Sequence, residues 1–413
     1  MKATQIPIQL ARRVIELPSS STLAVTARVR ELKAEGKNVI GFGAGEPDFD
    51  TPAPIGEAAI DALRAGQTHY MPVPGDPQAR QVIAGKLQRE NGIDCTGDDI
   101  VITVGGKHAM YLALQALVDP GDEVIVPTPA WVSYVPMVQL CGGAAVQVPA
   151  AVENDFRITA DQLAAALTPR TKAMLFNSPS NPCGTMYSPE EIRALADVVA
   201  AHDRVVLISD EIYEKIIYGG IEHLSPGSLD ALAGRVVTLN GMSKAFAMTG
   251  WRIGYACAPI PEPGGGAVAR AIAKLQGQMT SHITSFTYAA IIEALSHRAD
   301  DVETMRKTFA QRAELMYNAV SAMPGIVCPR PTGAFYVFPD VSAHFGRRTP
   351  GGRTVDSCVA FAQALLDEAL VAVVPGDGFG ECGRAHVRLS FACGNEDIEE
   401  GCRRMREWIE KLD

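Results

Sequence analysis

Between about residues 100 and 260 the chain repeats one pattern, a short apolar and often β-branched run followed by a longer stretch of helical periodicity. The runs are Ile100 to Val104, Glu123 to Val126, Ala173 to Phe176, Val205 to Ser209, Val236 to Leu239 and Ile253 to Ala256. Strands that are apolar on both faces must be covered on both faces, which a run-helix-run order achieves with a parallel sheet between helices. Helix starts are marked locally. Thr159-Ala-Asp-Gln162 and Ser188-Pro-Glu-Glu191 have the spacing of a capping box, the second with proline at the first helical position. The expected fold class is α/β, with a mostly parallel central sheet and helices on both faces.

The flanks read differently. A helical pattern over Asp301 to Met323 leads into the strand-like Gly333-Ala-Phe-Tyr-Val-Phe338, then another helix and two more short strands. This predicts a smaller α+β domain built from both chain ends, residues 1–50 with 301–413, beside a large domain over 51–300. Pro261-Glu-Pro-Gly-Gly-Gly266 reads as a loop, because helical pattern resumes at once.

Composition then narrows the function. A chain of 413 residues with 47% hydrophobic and 20% charged residues can bury a large core. Its formal charge of −10 argues against a nucleic-acid or anionic-membrane partner, since either needs a basic face. Arg347, Arg348 and Arg353 fall in a Pro/Gly loop and read as a solvated face. The nine cysteines are odd in number and include no C-x-x-C pair, so neither a disulfide framework nor a structural zinc site is indicated. They fit a reducing compartment. With no leader-like apolar segment near Met1 and no apolar run of membrane-spanning length, the expected location is the cytoplasm.

In open α/β sheets ligands bind beyond the carboxyl ends of the strands. The chemically unusual residues of this chain fall there repeatedly. Gly105-Gly106-Lys107 follows the first run and opens a helix, which suits either a phosphate facing backbone N–H groups or an ordinary tight turn. Trp131, after the second run, is placed to stack on an aromatic ligand or to fill a rim. Asn181 lies in Asn177-Ser-Pro-Ser-Asn-Pro-Cys-Gly184; its amide can meet a phenolate-like oxygen or close an Asx-turn. Asp210 stands at the tip of the fourth run, where a buried carboxylate requires a cationic partner or a hydrogen-bond network. A protonated pyridine nitrogen would be such a partner, and Tyr213 follows about one turn later.

The most telling residue is Lys244, in Asn240-Gly-Met-Ser-Lys-Ala-Phe-Ala-Met-Thr-Gly-Trp-Arg-Ile-Gly254 after the fifth run. A lysine where a buried strand opens into a Gly/Ser loop can be desolvated enough to attack a carbonyl, giving Schiff-base chemistry; the alternative is a core lysine reaching the surface. Gly241, Ser243 and Arg252 supply close backbone approach and charge-assisted donors for a phosphate beside that carbonyl.

Taken together, these motifs resemble the fold-type I, pyridoxal-phosphate-dependent class I/II aminotransferases, and within them bacterial-type aspartate and aspartate/prephenate aminotransferases. Gly43-Ala-Gly-Glu-Pro-Asp-Phe-Asp-Thr-Pro52, His69-Tyr70, Gly333-Ala-Phe-Tyr336 and His386-Val-Arg-Leu-Ser390 extend the resemblance over nearly the whole chain. The resemblance implies that Lys244 bonds the cofactor and later moves a proton between Cα and C4′, and that Asp210 keeps the ring nitrogen protonated. Tyr213 and Asn181 would bond the ring oxygen, and Trp131 would stack on the ring. Gly105, Gly106, Lys107, Ser243 and Arg252 would hold the phosphate. Arg388 would bind the substrate α-carboxylate, with Gly45 at the same end.

Tyr70 would reach the phosphate of a neighbouring subunit, which makes a homodimer the expected assembly. Lys107 would also attract a distal substrate carboxylate, favouring aspartate or glutamate with 2-oxoglutarate or oxaloacetate, or else it is a solvated helix-start residue. Ser19 to Thr22 resembles a segment that closes over substrate. Gly75-Asp-Pro-Gln-Ala-Arg80 and Asn181-Pro-Cys-Gly184 depart from the usual pattern without removing a catalytic group.

Alternative readings within the cofactor family are an aromatic, prephenate-active, arginine-type or broad-specificity aminotransferase, and a carbon–sulfur β-lyase. A ligand-sensing regulator would need an N-terminal DNA-binding domain, for which the residues ahead of the cofactor fold leave no room.

Overall fold

The computed structural model describes residues 8–15, 17, 21–259 and 267–413. Twelve strands among the described residues form three sheets. The main one has seven strands: β2 (Ile100–Val104), β3 (Glu123–Thr128), β4 (Ala144–Pro149), β5 (Thr171–Asn177), β6 (Val206–Asp210), β7 (Val236–Gly241) and β8 (Ile253–Cys257). Their order across the sheet is β2-β8-β7-β6-β5-β3-β4. All neighbours are parallel except β8, which runs antiparallel to both β2 and β7. The apolar runs mark all of these strands but β4. That strand closes the edge of the sheet and only Val148 of its six residues is buried, so it lacks the unbroken apolar signature of its neighbours.

Both predicted capping boxes form. Gln162 N donates to Thr159 Oγ1 (3.2 Å) and Thr159 N to Gln162 Oε1 (2.9 Å), while Glu191 N donates to Ser188 Oγ (3.2 Å) and Ser188 N to Glu191 Oε2 (2.8 Å). These reciprocal bonds satisfy two orphan N–H groups at each helix start.

A second core gathers the two ends of the chain. The helix Ala299–Ser321, displaced by two residues from the sequence expectation, packs with helices Cys358–Ala369 and Asn395–Ile409. Their apolar faces meet Phe335, Phe391 and the N-terminal Ile40 and Phe42. Here β9 (Tyr336–Val337) and β11 (Val374–Pro375) flank β12 (Val387–Ser390), both antiparallel to it. Meanwhile β1 (Ile40–Gly41) pairs in parallel with β10 (Val371–Ala372). The ladder at 333–338 is thus two residues long, and three short strands rather than two follow the 358–369 helix. Val373 alone separates β10 from β11, so one apolar run in the sequence serves two sheets. The 261–266 loop and Ser19 and Ser20 lie outside the described residues.

The turn after β6 is anchored from behind. Glu211 and Glu214 are both buried. Glu214 accepts from Lys86 Nζ, and Lys86 also donates to Asn91 Oδ1 at 2.7 Å. Glu211 accepts from Asn91 Nδ2 (3.1 Å), Ser209 Oγ (2.9 Å) and Ser225 Oγ (2.7 Å). Burial opposes ionisation of Glu214, but Lys86, His223 and Lys215 overcome it and hold the pKa down at about 2. A depressed carboxylate pKa contributes stability above its ordinary value of 4.5 that is lost as the pH falls towards 2.

Removing the cation while leaving that carboxylate buried is strongly destabilising. Lys86→Met is expected to lower the free energy of unfolding by about 3–5 kcal/mol at neutral pH, read by urea denaturation. A loss below about 1 kcal/mol would show that the pair carries no such load.

Candidate active site

The carboxyl ends of β5, β6 and β7 and the start of the Gly106–Leu117 helix open onto a cavity of about 620 Å³. Lys244 enters it from the four-residue helix Met242–Ala245 that follows β7 directly. Its Nζ donates to the Gly45 carbonyl oxygen. Burial lowers the Lys244 pKa to about 8; Glu46 works against this, and Arg388 and Arg252 add to it. A sizeable fraction of the amine is therefore neutral near pH 8, as a nucleophile or base requires.

Glycines bring the backbones together here. A Cβ on Gly254 would lie 2.3 Å from Gly106 N, and one on Gly105, whose φ is +80°, would lie 2.5 Å from Arg252 Nη2. Only residues without side chains let β8, the start of the 106–117 helix and Arg252 converge. The Gly105 N–H, expected to face a phosphate, instead donates to Thr103 O at 2.7 Å and closes the turn. The N–H groups left at the helix start are those of Gly106 and Lys107. Ser243 and Arg252 line the same end of the cavity. Arg252 is held at φ +58°, a left-handed conformation that costs a non-glycine residue about 1–2 kcal/mol, and its Nη1 donates to Thr249 O at 2.7 Å.

Asp210 ends β6 at the cavity floor. Its Oδ2 accepts from Tyr134 Oη at 2.7 Å and its Oδ1 from the Ile212 N–H at 3.3 Å. Burial raises its pKa to about 6, and these two hydrogen bonds restrain the rise. Tyr134 was not among the residues expected at the site. It sits one helical turn after Trp131, a spacing that would have brought it to the same wall. The Tyr213 hydroxyl lies 2.9 Å from that of Tyr336, a second residue the motifs contained but did not distinguish.

At the opposite wall Arg388, 2% exposed, lies on β12. Its Nη1 donates to Asn181 Oδ1 (3.0 Å) and its Nη2 to Gly43 O (2.9 Å), with the guanidinium 4.6 Å from the Tyr336 ring centroid. Nε is buried without a partner, and no carboxylate among the described residues pairs with this arginine. Burial pushes its pKa down, the direction expected of a cation lacking a counter-charge. Because Asn181 Oδ1 is taken by Arg388, the NH₂ end of that amide remains to donate.

Lys107 Nζ lies 4.8 Å above the Trp131 ring, and burial, then Arg252, lowers its pKa. Gly45 completes the lining. Of the residues singled out from the sequence for this chemistry, the fold brings all but Gly105, Gly241 and Tyr70 to the cavity wall. Tyr70 is 91% exposed and stacks edge-on against His282, 5.8 Å between centroids.

The family model described as "Aminotransferase class I and II" matches residues 37–405. This chain belongs to that family. It is 46% identical over 404 residues to a Geobacillus stearothermophilus aspartate aminotransferase, covering 98% of this chain and 99% of that protein. Its structure is similar to that of the Rhizobium meliloti aspartate aminotransferase, with a TM-score of 0.93 at 40% identity over 98% of this chain and 100% of the other. A Thermus thermophilus aspartate aminotransferase solved with maleate gives a TM-score of 0.89 at 41% identity, covering 97% of this chain and 100% of that one.

The aminotransferase is accordingly a pyridoxal-phosphate-dependent transferase. The donor set fits that cofactor: a partly neutral lysine, a carboxylate whose ionised form needs a cation, and free N–H groups at a helix start beside Ser243 and Arg252.

Asp210 gives a pH test of this fit. Its pKa rises from an ordinary 3.8 to about 6 in the fold. The associated stability is complete below the ordinary value and is lost as the pH climbs through 6. In cofactor-free protein, Asp210→Asn is expected to gain about 2 kcal/mol relative to the parent between pH 4 and pH 7 in chemical denaturation. A gain independent of pH would refute a buried, ionising Asp210.

Proposed function

We propose that this aminotransferase exchanges the amino group between aspartate or glutamate and the corresponding 2-oxo acids, oxaloacetate and 2-oxoglutarate. The observation that carries this reading is an excess of unpaired positive charge in one cavity. Lys107, Arg252 and Arg388 all line it, and none has a carboxylate partner among the described residues. A cofactor phosphate accounts for one cation and a substrate α-carboxylate for another. The third calls for a second carboxylate, that is, a dicarboxylic substrate. The relatives named above as aspartate aminotransferases, and the maleate in the Thermus structure, support the same class.

In this reading the bound cofactor supplies an aldehyde for the substrate amine and a ring that accepts the Cα electron pair. Asp210, held in place by Tyr134, keeps a proton at the ring nitrogen. Tyr213, oriented by Tyr336, and the free NH₂ of Asn181 donate to the ring oxygen. Trp131 covers one ring face. The N–H groups of Gly106 and Lys107, with Ser243 and Arg252, bind the phosphate. Arg388 binds the α-carboxylate through its planar fork, beside Gly45. Lys244, with its partly neutral amine, would be the base that takes up and returns the substrate Cα proton. Lys107 orients the distal carboxylate.

Tyr70 has no role in its own cavity. Its exposure, with Ile60 (40%), Leu63 (47%) and Met279 (52%), supports a homodimer in which it reaches the partner's phosphate. The nine cysteines are all free, which supports a cytoplasmic location. The two gathered cores support a division into a large domain over 51–300 and a small one over 1–50 and 301–413.

The first test is a half-reaction. Cofactor-loaded protein is mixed with each amino acid and the absorbance change from the aldehyde to the amine form is followed. Fast conversion by aspartate and glutamate is expected; conversion mainly by aromatic, basic or neutral donors would replace the substrate class, and release of pyruvate and ammonia from a cysteine conjugate would indicate a β-lyase. Lys244→Ala is expected to cut turnover by about 10³-fold or more and remove the lysine-linked cofactor absorbance. Lys107→Ala is expected to lower kcat/KM for aspartate about tenfold more than for phenylalanine, a loss of ~1.4 kcal/mol; equal losses would sink its side-chain role. Sedimentation should give a dimer, and Tyr70→Ala should weaken cofactor retention.

A further inference from the structure

The turn after β6 faces two ways. Asp210 and Tyr213 line the active-site cavity, while Glu214 lines a second cavity of about 480 Å³. Asn240, Gly241, Met242 and Ala245 also belong to the second cavity, so the short helix that carries Lys244 stands between the two. The far wall is formed by Leu295 near the end of the Thr287–His297 helix and by Val302 of the next.

The ionic groups on these walls, apart from the exposed Glu222, are already matched. Lys86 is paired with Glu214, Lys215 with Glu90 and Arg306 with Glu303. Glu211, Glu214 and His223 bring possible metal-ligand atoms within 4.8 Å of one another, but Lys86 already supplies the cation there, bound to both Glu214 and Asn91.

Two buried polar atoms are left over: Nδ2 of Asn240 and Nδ1 of His223 have no hydrogen-bond partner. Asn240 is 4% exposed, and its Oδ1 accepts from the Gly241 N–H at 2.7 Å, so Nδ2 is the free end of the amide. His223 Nε2 lies 3.1 Å from Glu211 Oε2, an atom that only accepts, so Nε2 carries a hydrogen and Nδ1 is the free atom. A buried N–H without an acceptor costs about 1–3 kcal/mol, which a ligand oxygen would recover. Much of the remaining surface is apolar, including Ile212, Phe246 and Tyr255.

We infer that this cavity is a second small-molecule site, taking an uncharged ligand with an apolar ring and a hydroxyl or carbonyl oxygen that accepts from Asn240 Nδ2. A charged ligand buried past the exposed Glu222 is disfavoured because it would have to compete with one of the three ion pairs. The volume lies within the range of ordinary ligand pockets, about 300–1,000 Å³. An occupant packed against Met242 and Ala245 presses on the helix that positions Lys244, so binding is felt at the lysine without contact with substrate. The site does not depend on which amino acid the enzyme uses.

The test uses the cofactor-loaded enzyme and 4-bromophenol at pH 7, where the phenol is neutral. Calorimetric titration is expected to show saturable binding that saturating maleate does not displace. A soaked crystal should show the bromine in the 480 Å³ cavity. The cofactor absorbance should shift on binding. Leu295→Trp, which fills the cavity from the wall away from Lys244, should weaken binding at least about tenfold while basal transamination and melting temperature are kept. Asn240→Ala should weaken it through the lost donor, which covers the case in which Leu295→Trp fails to fold. Absence of saturable binding, displacement by maleate, or unchanged affinity in both variants would overturn the proposal, whatever the transamination assay reports.

Discussion

Charge buried at the carboxyl end of β6 must be compensated within hydrogen-bond reach, and the surrounding structure is arranged around that requirement. Three carboxylates, Asp210, Glu211 and Glu214, fall within five residues. Glu211 and Glu214 turn to the rear, where Ser209, Ser225, Asn91, His223 and Lys86 absorb them. Asp210 turns to the front, where the protein gives it two hydrogen bonds and no ion pair. The difference sets the chemistry. Glu214 is held ionised by the protein itself, whereas the front carboxylate keeps its charge at little cost only when a cation arrives from outside.

The same logic runs in reverse at the cavity wall. Arg388 is buried against Gly43, Asn181 and Tyr336 without an anion. Lys107 lies over Trp131 rather than beside a carboxylate. An arginine buried in this way has already lost its water, so a ligand carboxylate regains most of the Coulomb energy without further desolvation of the protein. The cavity is therefore built for anions on one side and for a cationic ring nitrogen on the other. Lys244 lies among these groups, and its partly neutral amine follows from their combined field and its burial.

Positioning these charges depends on close backbone approach more than on side-chain packing. Gly254 against Gly106 and Gly105 against Arg252 leave no space for a methyl group. They fix the start of the 106–117 helix relative to the Lys244 helix. That contact also explains why β8 is inserted antiparallel between β2 and β7: it carries Gly254 to both segments at once.

Much of this was legible in the sequence, because the signals were local. Apolar runs marked the buried strands, capping boxes marked helix starts, and lysine, arginine and aspartate at strand ends marked the cavity. The edge strand β4 was not legible, since half-exposed residues carry no apolar run. Nor were the short ladders around β10 and β11, where one run divides between two sheets. Tyr134 and Tyr336 stood in plain motifs, but a tyrosine in sequence does not say which hydroxyl it will meet. Gly105 had the right composition for a phosphate turn, and only the folded turn shows its N–H spent on Thr103. The sequence by itself determined the fold class, the order of the chemical groups and the family, because periodicity and spacing act over a few residues. Tertiary structure alone decided which charges are paired and which are left for a ligand, because pairing joins residues as distant as Lys86 and Glu214, or Asn181 and Arg388, whose separation along the chain carries no trace of their contact in space.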